Sequence, residues 1–380
     1  MYSISDFGDM IADTTRMAAY VEALRQNLPP DGVVVDIGTG TGIFALLACR
    51  FGARRVYAIE TNDAIQVARE MARANGYADR IEFIQAASTE VTLPQPADLL
   101  ISDLRGTLPL YSHHLPAIID ARQRLLAPGG RQIPQRDTLW AAVIEADNLY
   151  QRYTSPWLDN PYDLDMRAAH NLVIHSWEKM RISLDRLLTE PGCWASLDYT
   201  TLTSPHVKGG TTWTVSRAGT ACGYAMWFDA VVADDIGYSN APDRPECIYG
   251  HQFFPWLEPV DLAPDDRVSL DIQAHLIGGD YVWNWVTRVE SPAGSLKAHF
   301  QQSSFQATPL SPAHLHRQAA NYIPQLNTEG QIDGLIMRLM ATSTPVGDMA
   351  RAVAKQFPDR FATWQAAMPR VGRLTQKYSC

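Results

Sequence analysis

Apolar and polar positions along the first third of the chain alternate with two different periods. Buried strands are predicted at "VVVDIG", "RRVYAIE", "RIEFIQA" and "ADLLISD", with amphipathic helices between them at "FALLACRFG" and "DAIQVAREMARANG". Apolar strands that alternate with helices are typical of an α/β fold built on a parallel, doubly wound sheet. Before these strands, five residues fall on one face of a single predicted N-terminal helix: Met10, Thr14, Met17, Val21 and Leu24. Pro29-Pro30 is expected to stop that helix. The segment "LLAPGGRQIPQ" marks the end of this unit near residue 135.

From Thr138 onward the pattern changes to short β-rich runs separated by turn residues. The clearest are "TLWAAVIEA", "TTWTVSR", "GYAMWFDAVV", "RVSLDIQAHLI" and "YVWNWVTRVE". They predict an antiparallel sandwich or barrel, interrupted by a helical stretch around "MRAAHNLVIHSWEKM". The expected domains are therefore residues 1–135, residues 136–308 and a C-terminal module over 309–380.

The C-terminal module is predicted to be helical. Three apolar helix faces are visible: Ile332, Leu335, Ile336, Leu339 and Met340; Met349, Val353 and Phe357; Phe361, Trp364, Met368 and Val371. Pro369 is expected to bend or end the third helix. Residues 311–380 hold eight Lys and Arg against four Asp and Glu, so this module is basic while the whole chain is acidic.

Composition narrows the function classes. The chain has 380 residues, of which 46% are hydrophobic and 19% charged, as in a globular protein with a sizeable core. A net charge of −9 makes nucleic acid an unexpected partner. Five scattered cysteines without a C-x-x-C pair argue against zinc or a disulfide framework, and no metal is expected. Without a signal-peptide pattern or an apolar membrane span, we expect a cytoplasmic protein.

A glycine-rich turn after the first strand carries the candidate cofactor chemistry. Gly38, Gly40 and Gly42 lie between a buried strand and a helix, where backbone N–H groups can approach a ligand closely. The spacing is G-x-G-x-G, with Asp36 two residues before it, rather than the dinucleotide pattern G-x-G-x-x-G. Glu60 ends the second strand, where an acid accepts hydrogen bonds from ribose hydroxyls. The pattern favours S-adenosyl-L-methionine over NAD, with Thr39, Ile43 and Thr61 as flanking contacts.

With these residues in place, residues 1–305 resemble the protein arginine methyltransferases. "MIADTTRMAAY" is similar to the helix that covers the cofactor in that family, which implies that Arg16 binds the methionine carboxylate. "AASTEVTLP" is similar to the adenine-side loop and implies contacts from Ala87, Ser88 and Thr89. "DLDMRAAHNLVIHSWEKM" resembles the dimerisation arm, placed at about residues 150–182. The resemblance implies a Rossmann-like seven-stranded methyltransferase domain, a β-barrel, a homodimer and a peptide or protein substrate.

The acceptor side departs from the family pattern. The fourth strand ends in "ISDLRGTLPLY", so Asp103 faces the carboxyl edge of the sheet and is a candidate for both acceptor and cofactor contacts. Family members carry two glutamates in this loop, which clamp a guanidinium. Here Asp103 matches the first and the uncharged Ser112 the second. Arg105 stands where methionine is usual, and Tyr249 replaces the histidine of a Thr-His-Trp motif.

Arginine is therefore not assured as the acceptor, and several alternatives stay open. In one, Arg105 holds a carboxylate of the substrate while Asp103, His113 or His114 removes a proton. Others are methylation of a carboxylate or amine in ribosomal-peptide or small-molecule biosynthesis, and a catalytically silent, dimeric scaffold that binds the cofactor. The C-terminal module resembles winged-helix modules that hold leader peptides, and a packing extension or an oligomer contact is the alternative.

Overall fold

The computed structural model describes residues 3–159 and 162–379. The chain divides into two compact units, one that ends at Pro309 and one that begins at Leu310. Within the described ranges, each helix is too short or too polar to cross a membrane.

The first unit opens with a parallel sheet of five strands. Its strands are β1 (Val33–Ile37), β2 (Arg55–Ile59), β3 (Ile81–Ile84), β4 (Ala97–Ser102) and β5 (Leu126–Ile133), in the order β3-β2-β1-β4-β5. The helices of this region are α1 (Ile4–Ala12), α2 (Thr14–Asn27), α3 (Ile43–Arg50), α4 (Ala64–Ala74) and α5 (His114–Arg124). The doubly wound prediction is confirmed, but the described sheet has five strands rather than seven. The strand order reverses between β1 and β4, which is where ligands bind in such sheets.

The prediction of one N-terminal helix is wrong, because the chain breaks at Asp13. The Asp13 carboxylate accepts a hydrogen bond from the Arg16 backbone N–H at 3.0 Å and caps the start of α2. Its other oxygen accepts the backbone N–H of Ile248 at 2.8 Å. The break separates α1, which has no fully buried residue, from α2, which is anchored in the core by Tyr20 and Leu24.

Two antiparallel sheets complete the first unit. Their strands are β6 (Arg136–Ile144), β7 (Glu178–Met180), β8 (Gly192–Asp198), β9 (Val207–Thr214), β10 (Gly219–Ala233), β11 (Ile236–Ser239), β12 (His251–Leu262), β13 (Arg267–Ile277), β14 (Asp280–Glu290) and β15 (Leu296–Ser303). One sheet has the order β7-β12-β10-β6-β8 with β11 beside β10, and the other the order β15-β14-β13-β9. β8 lies against β9 and β12 against β15, so the two sheets enclose an aromatic core that includes Trp256, Trp283 and Trp285.

The predicted arm is formed by two helices between β6 and β7, α6 (Asp147–Leu158) and α7 (Arg167–Val173). Two residues of the expected range, 160 and 161, lie outside the described residues. The helix predicted across "MRAAHNLVIHSWEKM" ends at Val173. Its last three residues form β7, which pairs with His251–Phe253 of β12.

The second unit is helical, as predicted, with α8 (Pro312–Gln318), α9 (Thr328–Ala341), α10 (Val346–Gln356) and α11 (Trp364–Tyr378). Its core is formed by buried residues of α9, α10 and α11: Ile332, Ile336, Met349, Ala350, Val353, Ala367 and Val371. α11 continues past Pro369, so the proline does not end it. The described residues of this unit contain no β-strand, and the wing expected of a winged helix is missing from them.

Candidate active site

A cavity of about 950 Å³ opens at the carboxyl ends of β1, β2 and β4. Most of the residues predicted for the site line it: Arg16, Gly38, Thr39, Ile43, Glu60, Thr61, Ala87, Ser88, Asp103, Arg105, Ser112, His113 and Tyr249. The predicted residues Asp36, Gly40 and Gly42 are not part of its wall. The cavity is lined by residues from the parallel-sheet region and from the antiparallel region of the first unit, so it lies where the two regions meet.

The glycine turn is shaped by close approach of neighbouring side chains. Gly38 and Gly40 have positive φ angles of 72° and 54°. A Cβ atom on Gly40 would lie 2.4 Å from the Phe7 ring, and one on Gly38 would lie 2.2 Å from a methyl carbon of Leu104. Phe7 belongs to α1, so this helix lies directly over the turn. Glycine is required here both for the left-handed backbone and for the contact with α1.

Glu60 is held in a fixed orientation at the end of β2. One carboxylate oxygen accepts the Gly40 N–H at 2.9 Å, and the other accepts the Asn62 N–H at 2.8 Å. These backbone bonds aim the carboxylate along the cavity wall beside Thr39 and Thr61. Ser88, which is buried, closes the same end of the cavity at the start of a short 3₁₀ helix. Glu60 therefore lies at the cavity wall with both carboxylate oxygens oriented by the backbone.

Asp36 is buried beneath the turn rather than exposed in the cavity. Its Oδ2 accepts the hydroxyl of Thr39 at 2.5 Å, while Oδ1 has no partner. Burial raises the pKa of Asp36 to about 7, against the lowering effect of the Thr39 hydrogen bond. Asp36 therefore bonds Thr39 within the turn and does not line the cavity.

Arg16 and Asp103 form a buried ion pair across the cavity. The Nε of Arg16 donates to Asp103 Oδ2 at 2.5 Å, and the Tyr249 hydroxyl donates to the same oxygen at 2.7 Å. Arg16 also donates to the carbonyl of Met10 at 3.0 Å. Burial by itself would raise the pKa of Asp103, but Arg16 and Arg105 hold it down to about 2. The Asp103 carboxylate is thus ionised at neutral pH.

Arg105 extends inward from the loop after β4, and its side chain is fully buried. Its Nε and one terminal nitrogen donate to the two oxygens of Asp137 at 2.6 and 2.8 Å. The other terminal nitrogen donates to the Tyr20 hydroxyl at 2.6 Å and to Asp103 Oδ1 at 3.0 Å. The positive charge of Arg105 is compensated by Asp137, and the side chain is not turned toward solvent. Each of its three nitrogens donates at least one hydrogen bond within the protein.

The remaining loop residues differ in accessibility. Ser112 lies at the cavity with a positive φ of 44°, and His113 is exposed. His114 is buried, with Nε2 3.2 Å from the Tyr199 hydroxyl, which itself donates to Asp137 at 2.5 Å. Burial and the nearby Arg105 lower the pKa of His114 to about 3, so its imidazole is neutral at pH 7.

Sequence reasoning missed several residues of the site. Phe7 and Met10 reach the cavity from α1, Trp177 from the residue before β7, and Lys179 from β7 itself. Asp137 was missed although a signal was present. It occupies the buried face of β6, in phase with Leu139 and Ala141, where a carboxylate requires a cationic partner.

The first unit resembles known methyltransferases in sequence. The family model for ribosomal protein L11 methyltransferase (PrmA) matches residues 7–133. A probable protein arginine N-methyltransferase 6 of Arabidopsis thaliana is 32% identical over 230 residues, which is 58% of this chain and 53% of that protein. Protein arginine N-methyltransferase PRMT10 of the same plant is 26% identical over 299 residues, 70% of this chain and 78% of that protein. The match spans about half the length of the first of these relatives.

Solved structures share the fold. The crystal structure of Arabidopsis thaliana protein arginine methyltransferase 10 superposes with a TM-score of 0.70 at 22% identity, over 79% of this chain and 97% of that chain. The Trypanosoma brucei PRMT1 enzyme-prozyme complex with AdoHcy gives a TM-score of 0.72 at 21% identity, over 78% of this chain and 96% of that chain. These likenesses support the architecture predicted for the first unit.

Proposed function

By sequence and fold the chain is a relative of the protein arginine methyltransferases, and from this premise we propose that it is an S-adenosylmethionine-dependent methyltransferase. It transfers a methyl group to a side chain of a peptide or protein. The observation that carries the proposal is the cavity at the switch point of the sheet, with the Glu60 carboxylate fixed by two backbone N–H groups at one end.

The residues present fit S-adenosylmethionine. Glu60 presents an oriented acceptor for ribose hydroxyls, and the glycine turn brings backbone close to the cavity. Ser88 and Thr89 line the adenine end, and Arg16 is placed to bind the methionine carboxylate. α1 covers this region through Phe7 and Met10. When bound, the cofactor supplies a methyl group on a sulfonium, and a lone pair of the acceptor can take that group.

The chain itself contributes positioning and exclusion of water. An in-line displacement gains much of its rate from holding the acceptor beside the methyl group in a dry cleft. Tyr249 and the loop from Asp103 to His113 line the cavity and form its proposed acceptor side. Trp177 and Lys179 border the same side.

A homodimer and a reducing compartment are part of the proposal. The arm exposes large apolar side chains at Leu158, the last residue of α6, and at Tyr162 and Leu164 in the segment before α7. An apolar arm of this kind is suited to packing against a second copy of the chain. The cysteines within residues 3–379 form no disulfide, a state that the cytoplasm maintains.

Calorimetric titration with S-adenosylmethionine tests the proposal. We expect a 1:1 complex with wild type and a loss of affinity of at least about tenfold in Glu60→Ala, because hydrogen bonds to a charged acceptor contribute about 1.5–3 kcal/mol each. Glu22→Ala is the matched control, since Glu22 bonds Arg25 and Gln26 on the surface of α2 and does not line the cavity.

The control variant should bind as wild type does. If wild type takes up neither S-adenosylmethionine nor S-adenosylhomocysteine, the methyltransferase proposal fails. Binding without transfer to any peptide would leave the scaffold alternative in its place.

A further inference from the structure

Asp103 is saturated from within the protein. Its Oδ1 accepts Arg105 at 3.0 Å, and its Oδ2 accepts both Arg16 at 2.5 Å and Tyr249 at 2.7 Å. Its side chain is only 3% exposed. A guanidinium from a substrate would need a carboxylate with free, coplanar lone pairs. Both lone pairs of Oδ2 are occupied, so Asp103 cannot accept a guanidinium through both of its oxygens.

Displacement of Arg105 by a competing cation would cost a large amount of free energy. It is bound to both oxygens of Asp137, and the Tyr199 hydroxyl also donates to that carboxylate. The guanidinium lies over the rings of Tyr199 and Phe228 at 6.0 and 5.6 Å. Moving Arg105 would leave Asp137 buried without a cation, which is strongly unfavourable. The guanidinium is therefore a fixed part of the wall.

No other carboxylate among the described residues of the wall compensates for this. Glu60 is the second acid that lines the cavity, and it lies at the glycine-turn end, where its oxygens accept the Gly40 and Asn62 N–H groups. On the acceptor side, Lys179 adds a cation, with its ammonium on the carbonyl of Ile248 at 2.7 Å. The acceptor side thus has more positive than negative charge.

We propose that Arg105 determines acceptor specificity: by keeping Asp103 saturated, it excludes guanidinium and ammonium groups and restricts the acceptor to a group without positive charge. The inference rests on the proposed methyltransferase function and names its substrate class. Candidate acceptors are then uncharged or anionic side chains of a peptide, rather than arginine.

Two small probes of matched shape test this directly. N-ethylguanidinium and N-ethylurea copy the ends of an arginine side chain and of its neutral analogue, and their affinities are measured by ligand-observed NMR. In wild type we expect N-ethylguanidinium to bind no more tightly than N-ethylurea. In the double variant Arg105→Met/Asp137→Asn, which removes one charge of each sign and frees one oxygen of Asp103, we expect a preference for N-ethylguanidinium of about tenfold.

The matched control is Arg370→Met/Asp333→Asn. This pair in the second unit is also bidentate, at 2.7 and 2.6 Å, so the chemical change is the same outside the cavity. The control should behave as wild type. A tenfold preference of wild type for N-ethylguanidinium overturns the proposal and requires no variant. A folded double variant, by tryptophan fluorescence, that gains no preference overturns it as well.

The outcomes separate this inference from the proposed function. S-adenosylhomocysteine binding is measured on the same samples, and the probes are titrated with and without it. If the cofactor fails to bind while the probes behave as expected, the methyltransferase proposal falls and the saturation of Asp103 stands. If the cofactor binds while wild type prefers the guanidinium probe, the specificity inference alone falls.

Discussion

The burial of Asp36 predicts how strongly its ionisation lowers the stability of the folded state. The carboxyl is 1% exposed, Oδ1 has no partner, and burial raises its pKa to about 7. In an unfolded chain the pKa of an aspartate is about 3.9, and each unit of difference corresponds to about 1.4 kcal/mol. Above pH 7 the ionised Asp36 therefore lowers the stability of the folded state by up to about 4 kcal/mol. We expect Asp36→Asn to relieve this cost.

The sign of the pH dependence distinguishes this effect from a change in packing. Between about pH 4 and pH 7 folded wild type keeps a proton that the unfolded chain has lost, so stability falls by about 1.4 kcal/mol per pH unit as pH rises. The amide that Asp36→Asn introduces does not titrate. The free energy of unfolding of this variant, relative to wild type, should therefore rise across this range and level off on either side.

Urea unfolding followed by tryptophan fluorescence measures this difference at about pH 4.5, 6 and 7.5. Asp234→Asn is the control, because Asp234 is exposed in the turn between β10 and β11. Its difference from wild type should remain within a few tenths of a kcal/mol at each pH. A difference between Asp36→Asn and wild type that does not change with pH would refute the reasoning.

Three further predictions concern the site and the second unit. Gly38→Ala should weaken S-adenosylhomocysteine binding by at least about tenfold, measured by calorimetry, because a Cβ would lie 2.2 Å from Leu104 at a positive φ. Arg105→Met should lower the free energy of unfolding, measured in urea, by about 3–5 kcal/mol, because it leaves the buried Asp137 carboxylate unpaired. Adding Asp137→Asn should recover part of that loss. Additive effects of the two substitutions on the free energy of unfolding would contradict this. Asn327→Ala should cost α9 about 1 kcal/mol, because Asn327 accepts the Gly330 N–H at 2.9 Å as its N-cap, and an unchanged melting transition of the second unit would contradict it.

The parallel sheet was predictable because its strands are continuous apolar runs. β1 is buried at every position, and its sequence differs clearly from the amphipathic helices beside it. β5 was not predicted. Its sequence, "LAPGGRQI", carries a proline and two glycines and resembles a turn, yet it pairs in parallel with β4 through a register shift between Ala97 and Leu99. Pairing with a buried neighbour overrides the local pattern there.

The proposed cofactor end of the site was more predictable than the proposed acceptor end. The glycine turn and Glu60 are close in sequence and follow a fixed strand-to-helix geometry, so their spacing determines their placement. The network around Arg105 joins Tyr20, Asp137 and Tyr199, which are far apart in sequence. No local period connects them. The direction of the Arg105 side chain, into the protein rather than toward solvent, could be found only from the packed structure.

Hydrogen–deuterium exchange of the full chain with and without S-adenosylhomocysteine tests the central claim most directly. If the cofactor binds at the carboxyl ends of β1 and β2 beneath α1, exchange should slow in Ile4–Ala12, in the glycine turn at residues 38–42 and in Ser88–Glu90. The strands β13 to β15 should exchange unchanged. Protection confined to other segments, or none at saturating ligand, would contradict the account.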